Sequence, residues 1–352
     1  MSLPPQKAKL GLRFVLLWAL VAQSVSAALP YEPVSADPLL QAWRWRTYPE
    51  LNGLGAQCIF EGDHGVVWFG GTEGAWSYDG IEWQRHSNRE GMGGDVASIC
   101  QGRNGGMIFA GHWGISEVRN GQYRRMLRFP NEQAVEIRKV TTDHNGNLWA
   151  ATSIGALYFD GDMWTLFRLQ AQPDLIITNY VGQSVNVEIL PAFIQEKILA
   201  GKTLSTSGDG LASNFSDLCV DESGKVWLGL DSGQIIWCQN PGTTNRGWGA
   251  VTAAEGLSLG RSPTLLSRRG GELWVGYASD SAFLNVFDGQ KWSSISLRDV
   301  GIAENCGGLV ETRDGAVWLA GRYSVGVYRK GRWTRYEKPA VPIPLARNFI
   351  FE

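Results

Sequence analysis

The sequence has little of what most catalytic and nucleic-acid-binding proteins display. It carries only four histidines, and its 32 Lys and Arg against 34 Asp and Glu give a net charge of −2, so no basic field points to DNA or RNA. No G-x-S-x-G, H-E-x-x-H or phosphate-loop pattern occurs. Five cysteines (Cys58, Cys100, Cys219, Cys238, Cys306) cannot all pair within one chain, and none forms a C-x-x-C, which argues against a zinc or redox centre. Cys58, Cys100 and Cys219 fall at equivalent places in different repeats and read as small core residues. After the N-terminal region no run approaches the ~20 apolar residues that a membrane span needs.

What is abundant is glycine, 44 in 352 residues, and tryptophan, 16; ordinary glycine usage is ~7 %. Both follow from a repeat. Six times between residues 58 and 336 the chain reads approximately D-x-x-G-x-x-W-x-G, then Gly, an apolar strand, a D-G or N-G turn and a second aromatic. The first aromatic falls at Trp68, Phe109, Trp149, Trp227, Trp274 and Trp318, the second at Trp83, Tyr123, Trp164, Trp248, Trp292 and Trp333. Ten of the 16 tryptophans occupy these two positions, so most of the excess is architectural. Steps of about 40–47 residues with four short strands each predict an all-β propeller of six four-stranded blades. In the third copy, Val140–Thr142, Leu148–Ala151, Ala156–Phe159 and the segment around Trp164 are the four strands. Asp143-His144-Asn145-Gly146 is the first turn, and Asp160-Gly161 reads as a two-residue hairpin. The second copy replaces both tryptophans, with Phe109 and Tyr123, but keeps Gly105, Gly111, Gly114 and Gly121.

The ends and one interruption break the pattern. Residues 1–27 have a basic start (Lys7, Lys9, Arg13), an apolar core Phe14–Val21 and small residues at Val25-Ser26-Ala27, the layout of a cleavable signal peptide. An uncleaved anchor is the alternative, disfavoured by the short apolar core. Residues 28–42 are a linker and 43–352 the propeller. The reading is of a chain exported to a periplasmic or extracellular space. Between Trp149 and Trp227 the step nearly doubles, which makes 168–207 either an insertion or an eroded seventh blade. Within it, 176–181 and 185–189 suggest a β-hairpin and 192–199 a short helix. Trp43–Tyr48 resembles an outer strand, and Ile350-Phe351-Glu352 repeats Ile59-Phe60-Glu61. These ends fit either a piece of a longer ring or a last blade shared by the two termini.

Asp221–Gly229, Asp143–Thr152 (with Ala151 at the glycine position) and the lead-in Gly210-Leu211-Ala212-Ser213-Asn214 resemble the two-component regulator propeller repeat. The likeness covers about residues 43–352. It implies the periplasmic ligand-sensing part of a hybrid two-component receptor, without the immunoglobulin-like, membrane-spanning and kinase or cyclase parts that such receptors carry.

Function on a propeller sits in loops at the two faces. The second-to-third strand turns hold Glu73, His112, Trp113, Asp231, Asp280, Arg322 and Tyr323, which differ from copy to copy, and strand alternation places the 168–207 insertion on their face. Variation on a constant frame suits a ligand face, and equally neutral drift. His112-Trp113 and Arg322-Tyr323 are the strongest candidates, since aromatic and Arg groups suit sugars and carboxylates. His64 and His144 recur in similar turns and read as structural, so neither a metal nor a cofactor is expected. The expected ligand is a small molecule or oligosaccharide, with a membrane receptor or kinase as partner and no nucleic acid. A propeller-fold carbohydrate lyase and a protein-binding scaffold are the alternatives.

Overall fold

A computed structural model describes residues 37, 40–41, 47–87, 92, 94–129, 135–170, 178–179, 185–200, 214–243, 245–278, 283–299, 301–302 and 305–337. The chain divides into Met1–Arg44 and Trp45–Glu352; of the first unit only Asp37, Leu40 and Gln41 are described, so the signal peptide and linker readings lie outside the described residues. No described helix is long and apolar enough to cross a membrane.

The second unit is a six-bladed propeller. Blade 1 comprises β1 (Ala56–Glu61), β2 (Val67–Gly71), β3 (Gly74–Tyr78) and β4 (Trp83–His86). Blade 2 is β5 (Ser98–Gln101), β6 (Met107–Gly111), β7 (Gly114–Arg119) and β8 (Gln122–Arg128). Blade 3 is β9 (Ile137–Thr142), β10 (Leu148–Thr152), β11 (Gly155–Phe159) and β12 (Trp164–Arg168). The insertion contributes β13 (Thr178–Asn179), β14 (Asn186–Ile189) and helix α1 (Ala192–Ala200). Then come blade 4, β15 (Phe215–Val220), β16 (Val226–Leu230), β17 (Ile235–Gln239) and β18 (Gly247–Val251), and blade 5, β19 (Pro263–Ser267), β20 (Leu273–Tyr277), β21 (Phe283–Phe287) and β22 (Trp292–Ser296). Blade 6 is β23 (Gly308–Glu311), β24 (Val317–Ala320), β25 (Ser324–Arg329) and β26 (Arg332–Glu337). Within each blade the strands pair in chain order.

The motif spacing has a chemical cause. Asp221 Oδ1 accepts from the backbone N–H of Ser223 (2.9 Å) and Lys225 (3.0 Å), while Oδ2 accepts the indole N–H of Trp227 at 2.7 Å. Asp143 repeats this with Asn145, Asn147 and Trp149. The aspartate therefore closes the turn and fixes the indole six residues on. Glycine follows at the left-handed position, with φ of +81° at Gly224 and +76° at Gly146. The other copies lack an aspartate six residues before the aromatic. Phe109 has no indole N–H and Arg103 stands six residues before it. Trp274 lacks the aspartate and donates to Glu272 at 3.0 Å, with the Arg268 guanidinium 4.9 Å from its ring centroid.

The outer D-G turns differ from the two-residue hairpins expected. Asp79, Asp160 and Asp288 each accept two backbone N–H groups, two and three residues on, at 2.8–2.9 Å. The loop is thus four residues long and capped by the aspartate. The two-residue form occurs at Asn120-Gly121 and Lys330-Gly331, where both residues have positive φ.

Apolar clusters fill five junctions between neighbouring blades. They centre on Phe109 (blades 1–2), Leu157 and Trp164 (2–3), Trp149 and Phe167 (3–4), Trp227 and Val275 (4–5), and Trp274 and Leu319 (5–6). The glycine of W-x-G lets the sheets approach: a Cβ at Gly229 would lie 2.7 Å from Pro263 Cγ of the next blade. All five cysteines are unpaired thiols, and burial pushes Cys58, Cys100, Cys238 and Cys306 up to about 12, the state of inert core residues. Between blades 6 and 1 the described link is an ion pair from Arg313 to Glu61.

Among the described residues the two strands of the insertion pair with blade edges and not with each other. β13 adds antiparallel to β8 at the outer edge of blade 2, and β14 adds parallel to β12 at the outer edge of blade 3. Helix α1 buries Ile194 and Ile198 in the cluster between blades 3 and 4. Arg246 clamps Glu188 at 2.6 Å, and Lys197 reaches Glu255 at 2.6 Å. The described part of the insertion therefore lines the outer edges of blades 2 and 3 and reaches the blade 4–5 connection through Lys197. It paired this way because β8 and β12 offered free backbone edges. The candidate terminal strands at 43–46 and 350–352 lie outside the described residues.

Replacing Trp227, 3 % exposed, by alanine is expected to cost about 3–5 kcal/mol, and Asp221→Ala about 1–3 kcal/mol, both read as lowered melting midpoints. Desolvation raises the Asp221 pKa, but its bonds to Ser223, Trp227 and Lys225 together hold it below the usual 3.8. Because the folded value is depressed, this contribution is complete above 3.8 and is lost as pH falls through the folded value. Denaturation midpoints measured along an acid series should converge for wild type and Asp221→Asn; parallel curves would contradict the assignment.

Candidate functional site

The turns joining second to third strands, and the connections running from one blade to the next, share one face of the ring. Of the residues singled out from sequence, Glu73 lies in the β2–β3 turn, exposed. His112 and Trp113 form the β6–β7 turn, Asp231 opens the β16–β17 turn, and Arg322 and Tyr323 form the β24–β25 turn. Asp280 falls outside the described residues. The six described positions occupy blades 1, 2, 4 and 6.

Two of them anchor constellations. His112 Nδ1 lies 2.6 Å from Asp95 Oδ2, and the Trp113 indole donates to the Asp95 carbonyl at 2.5 Å. Asp95 comes from the connection between blades 1 and 2, so a carboxylate orients an imidazole whose side chain is 58 % exposed. Tyr323, in contrast, is 53 % exposed, and the Arg322 guanidinium sits 5.4 Å from its ring centroid.

The second constellation spans three blades around Asp231. Arg138, on the innermost strand β9 of blade 3, donates to Asp231 Oδ1 at 3.3 Å and to Glu136 at 3.4 Å. Asn214, just before β15, donates from Nδ2 to Asp231 Oδ2 at 3.3 Å. Ser262, just before β19 of blade 5, donates through its hydroxyl to Asp231 and through its N–H to the Asp231 carbonyl at 3.1 Å. Asn214 Oδ1 is buried and accepts no hydrogen bond. A buried acceptor without a donor costs about 1–3 kcal/mol, so the arrangement favours a ligand or solvent group bearing O–H or N–H. Two carboxylates against one guanidinium leave the group with a formal charge of −1.

Sequence reasoning found Asp231 but missed Arg138, Glu136, Asn214 and Ser262. One signal was legible: aligned by strand register, Arg138 takes the place of Gln57 and Ser216, a cation where other copies are neutral. The next residue, Lys139, is exposed. On β15, Asp217 accepts the N–H of Leu218 and, across the junction, that of Leu265, each at 2.8 Å. Burial pushes this carboxyl above its usual range against the pull of Lys139 and those two bonds. Among the described residues no cluster of His, Cys, Asp and Glu could hold a metal ion.

No protein-family model and no curated protein matches the sequence. Solved structures do resemble the fold. The extracellular domain of BT3049, named as a hybrid two component system, from B. thetaiotaomicron superposes with a TM-score of 0.56 at 13 % identity, over 80 % of this chain and 34 % of that one. The chain thus spans about a third of that protein's length. A streptogramin B lyase gives 0.55 at 14 % identity, over 81 % and 83 %. YCF48 bound to D1 peptide gives 0.52 at 13 %, over 80 % and 82 %. At these identities the likeness is one of fold: the chain is a β-propeller of the kind found in two-component extracellular domains, lyases and peptide-binding proteins alike.

Proposed function

We propose that this chain is an exported, sensor-type propeller that binds a small polyhydroxylated molecule or oligosaccharide on its turn-bearing face and passes that state to a membrane receptor or kinase. The observation that carries the reading is the Asp231 constellation: a network drawn from three blades, with a buried amide oxygen still lacking a donor. A sugar hydroxyl supplies such a donor to Asn214 Oδ1, while Glu136 and Arg138 take further hydroxyls. Because blades 3, 4 and 5 each contribute, an occupant would draw them together, which is a physical route from binding to a change felt by a partner. Periplasmic or extracellular placement accords with the basic and apolar N-terminal segment and with the kind of domain the fold resembles.

A thermal-melting screen over oligosaccharides, simple sugars and short peptides tests this. One ligand class should raise the melting midpoint, and a ligand at 100 times its Kd adds about 2.7 kcal/mol. Arg138→Gln and Asp231→Asn should abolish the shift. The reading fails if no member of the panel stabilises the folded wild-type protein.

The His112–Asp95 pair favours a second reading, a glycan lyase with His112 as base. It expects turnover of a glycan that His112→Ala eliminates without a change in melting midpoint; a panel of glycans left intact by wild type would remove it.

A further inference from the structure

On the opposite face, at the foot of blade 1, a cleft of about 460 Å³ is lined by Val66, Trp68, Ser77, Asp79, Glu82, Trp83 and Gln84. Its lining lies between the first-to-second and third-to-fourth strand turns, far in sequence from the Asp231 constellation. Ser77 is 7 % exposed and His86, behind it, 3 %. Ser77 Oγ lies 2.9 Å from His86 Nε2, and the other ring nitrogen, Nδ1, lies 2.6 Å from the Tyr123 hydroxyl on blade 2. The imidazole also lies against Trp68, ring centroids 4.8 Å apart and planes tilted by 37°.

We propose that Ser77 is a nucleophile activated by His86, with Tyr123 as the positioning residue, and that the cleft accepts neutral or cationic carboxylic esters. A hydroxyl within hydrogen-bond reach of an imidazole, itself oriented by a third group, is the general form of an activated serine. With the imidazole proton on Nδ1 and donated to Tyr123 Oη, Nε2 accepts the Ser77 proton as Oγ attacks the ester carbonyl carbon. The C–O bond to the leaving alkoxide breaks, and His86 returns the proton to it. Water then enters, loses a proton to Nε2 and attacks the acyl carbon; the C–Oγ bond breaks, His86 returns the proton to Oγ, and the acid leaves. Gln84, the cross-strand partner of Ser77, is exposed and brings an amide donor to the developing oxyanion. Trp68, the cross-strand neighbour of Ser77, supplies apolar wall for the alcohol or acyl group. Asp79 is held below its usual range by the N–H groups of Glu82 and Ile81, so it is anionic and, with Glu82, repels anionic esters.

The test uses the full chain and a neutral alkyl fluorophosphonate, read by peptide mass spectrometry. Attack forms the Oγ–P bond and expels fluoride. The expected result is one adduct, on the peptide carrying Ser77, absent in Ser77→Ala. His86→Gln keeps a hydrogen-bonding group beside Ser77 and should label roughly 100-fold more slowly or worse. Gln84→Ala, an exposed change, should slow labelling while leaving the melting midpoint in place, which separates chemistry from folding. No adduct at Ser77 in folded wild-type protein under excess reagent overturns the proposal, as does equal labelling of wild type and folded His86→Gln. Neither result bears on the sugar reading of the opposite face, whose residues are different.

Discussion

Each blade is a sheet with two apolar faces and too little mass to bury either by itself. The packing of second-strand aromatics into the junctions between blades, made by five of the six, is therefore the interaction on which the molecule rests. It requires bulk at one position and near-absence of a side chain two residues later, and W-x-G supplies both. The turn aspartate adds direction. By accepting the indole N–H while capping its own backbone, Asp221 keeps Trp227 in the one orientation that fills the junction. Copies without that aspartate replace its function in different ways, Glu272 for Trp274, or phenylalanine in place of the indole. In blade 6, Asp314 turns instead to Thr312 and Arg329, and the buried Trp318 Nε1 has no acceptor.

That last blade borders the least apolar junction among the described residues. Five junctions hold buried clusters; the sixth has the Arg313–Glu61 pair, whose side chains are 83 % and 44 % exposed. An exposed pair is worth about 0–1 kcal/mol. On blade 1, Phe69, Trp76, Tyr78 and Trp83 share the face turned away from blade 2 and are each half-buried, with Tyr48 laid edge-on against Trp83 at 5.5 Å. Blades 2, 3 and 4 are additionally bound from outside by the insertion, so stiffness is distributed unevenly around the ring.

The architecture was legible because it is periodic: alternation, turn residues and aromatic spacing each recur six times, and errors in one copy are corrected by the others. The reading went astray where nothing repeats. Alternation at 176–189 correctly indicated strands but carried no information on their partners, and two free outer edges competed successfully with a hairpin. The site was less legible for a related reason. Asp231 stood out as a variable turn residue, yet Arg138 lies 93 positions away and Ser262 reaches the same carboxylate from a third blade. Local pattern cannot report a contact made by closing a ring. Asp95 was likewise invisible, in a connection without motif, and His86 sits on an outer strand where the other copies place a buried or half-buried apolar residue.

The two candidate sites draw on different parts of this construction. The Asp231 network is built from innermost strands and inter-blade connections of blades 3, 4 and 5, where the aromatic clusters and the girdling insertion hold backbone positions closely. Such a site can be exact in geometry without dedicated supporting residues, because the ring already fixes it. The Ser77–His86 pair lies on the side of blade 1 that faces blade 2 and takes its orientation from its own neighbours: Trp68 against the imidazole and Tyr123 reaching over from blade 2. That difference explains why the first site is rich in exposed polar groups and the second is buried behind aromatics. Where the ring fixes the backbone of several blades, polar residues can be displayed at the surface and remain oriented; where a polar pair is buried between two blades, packing orients it.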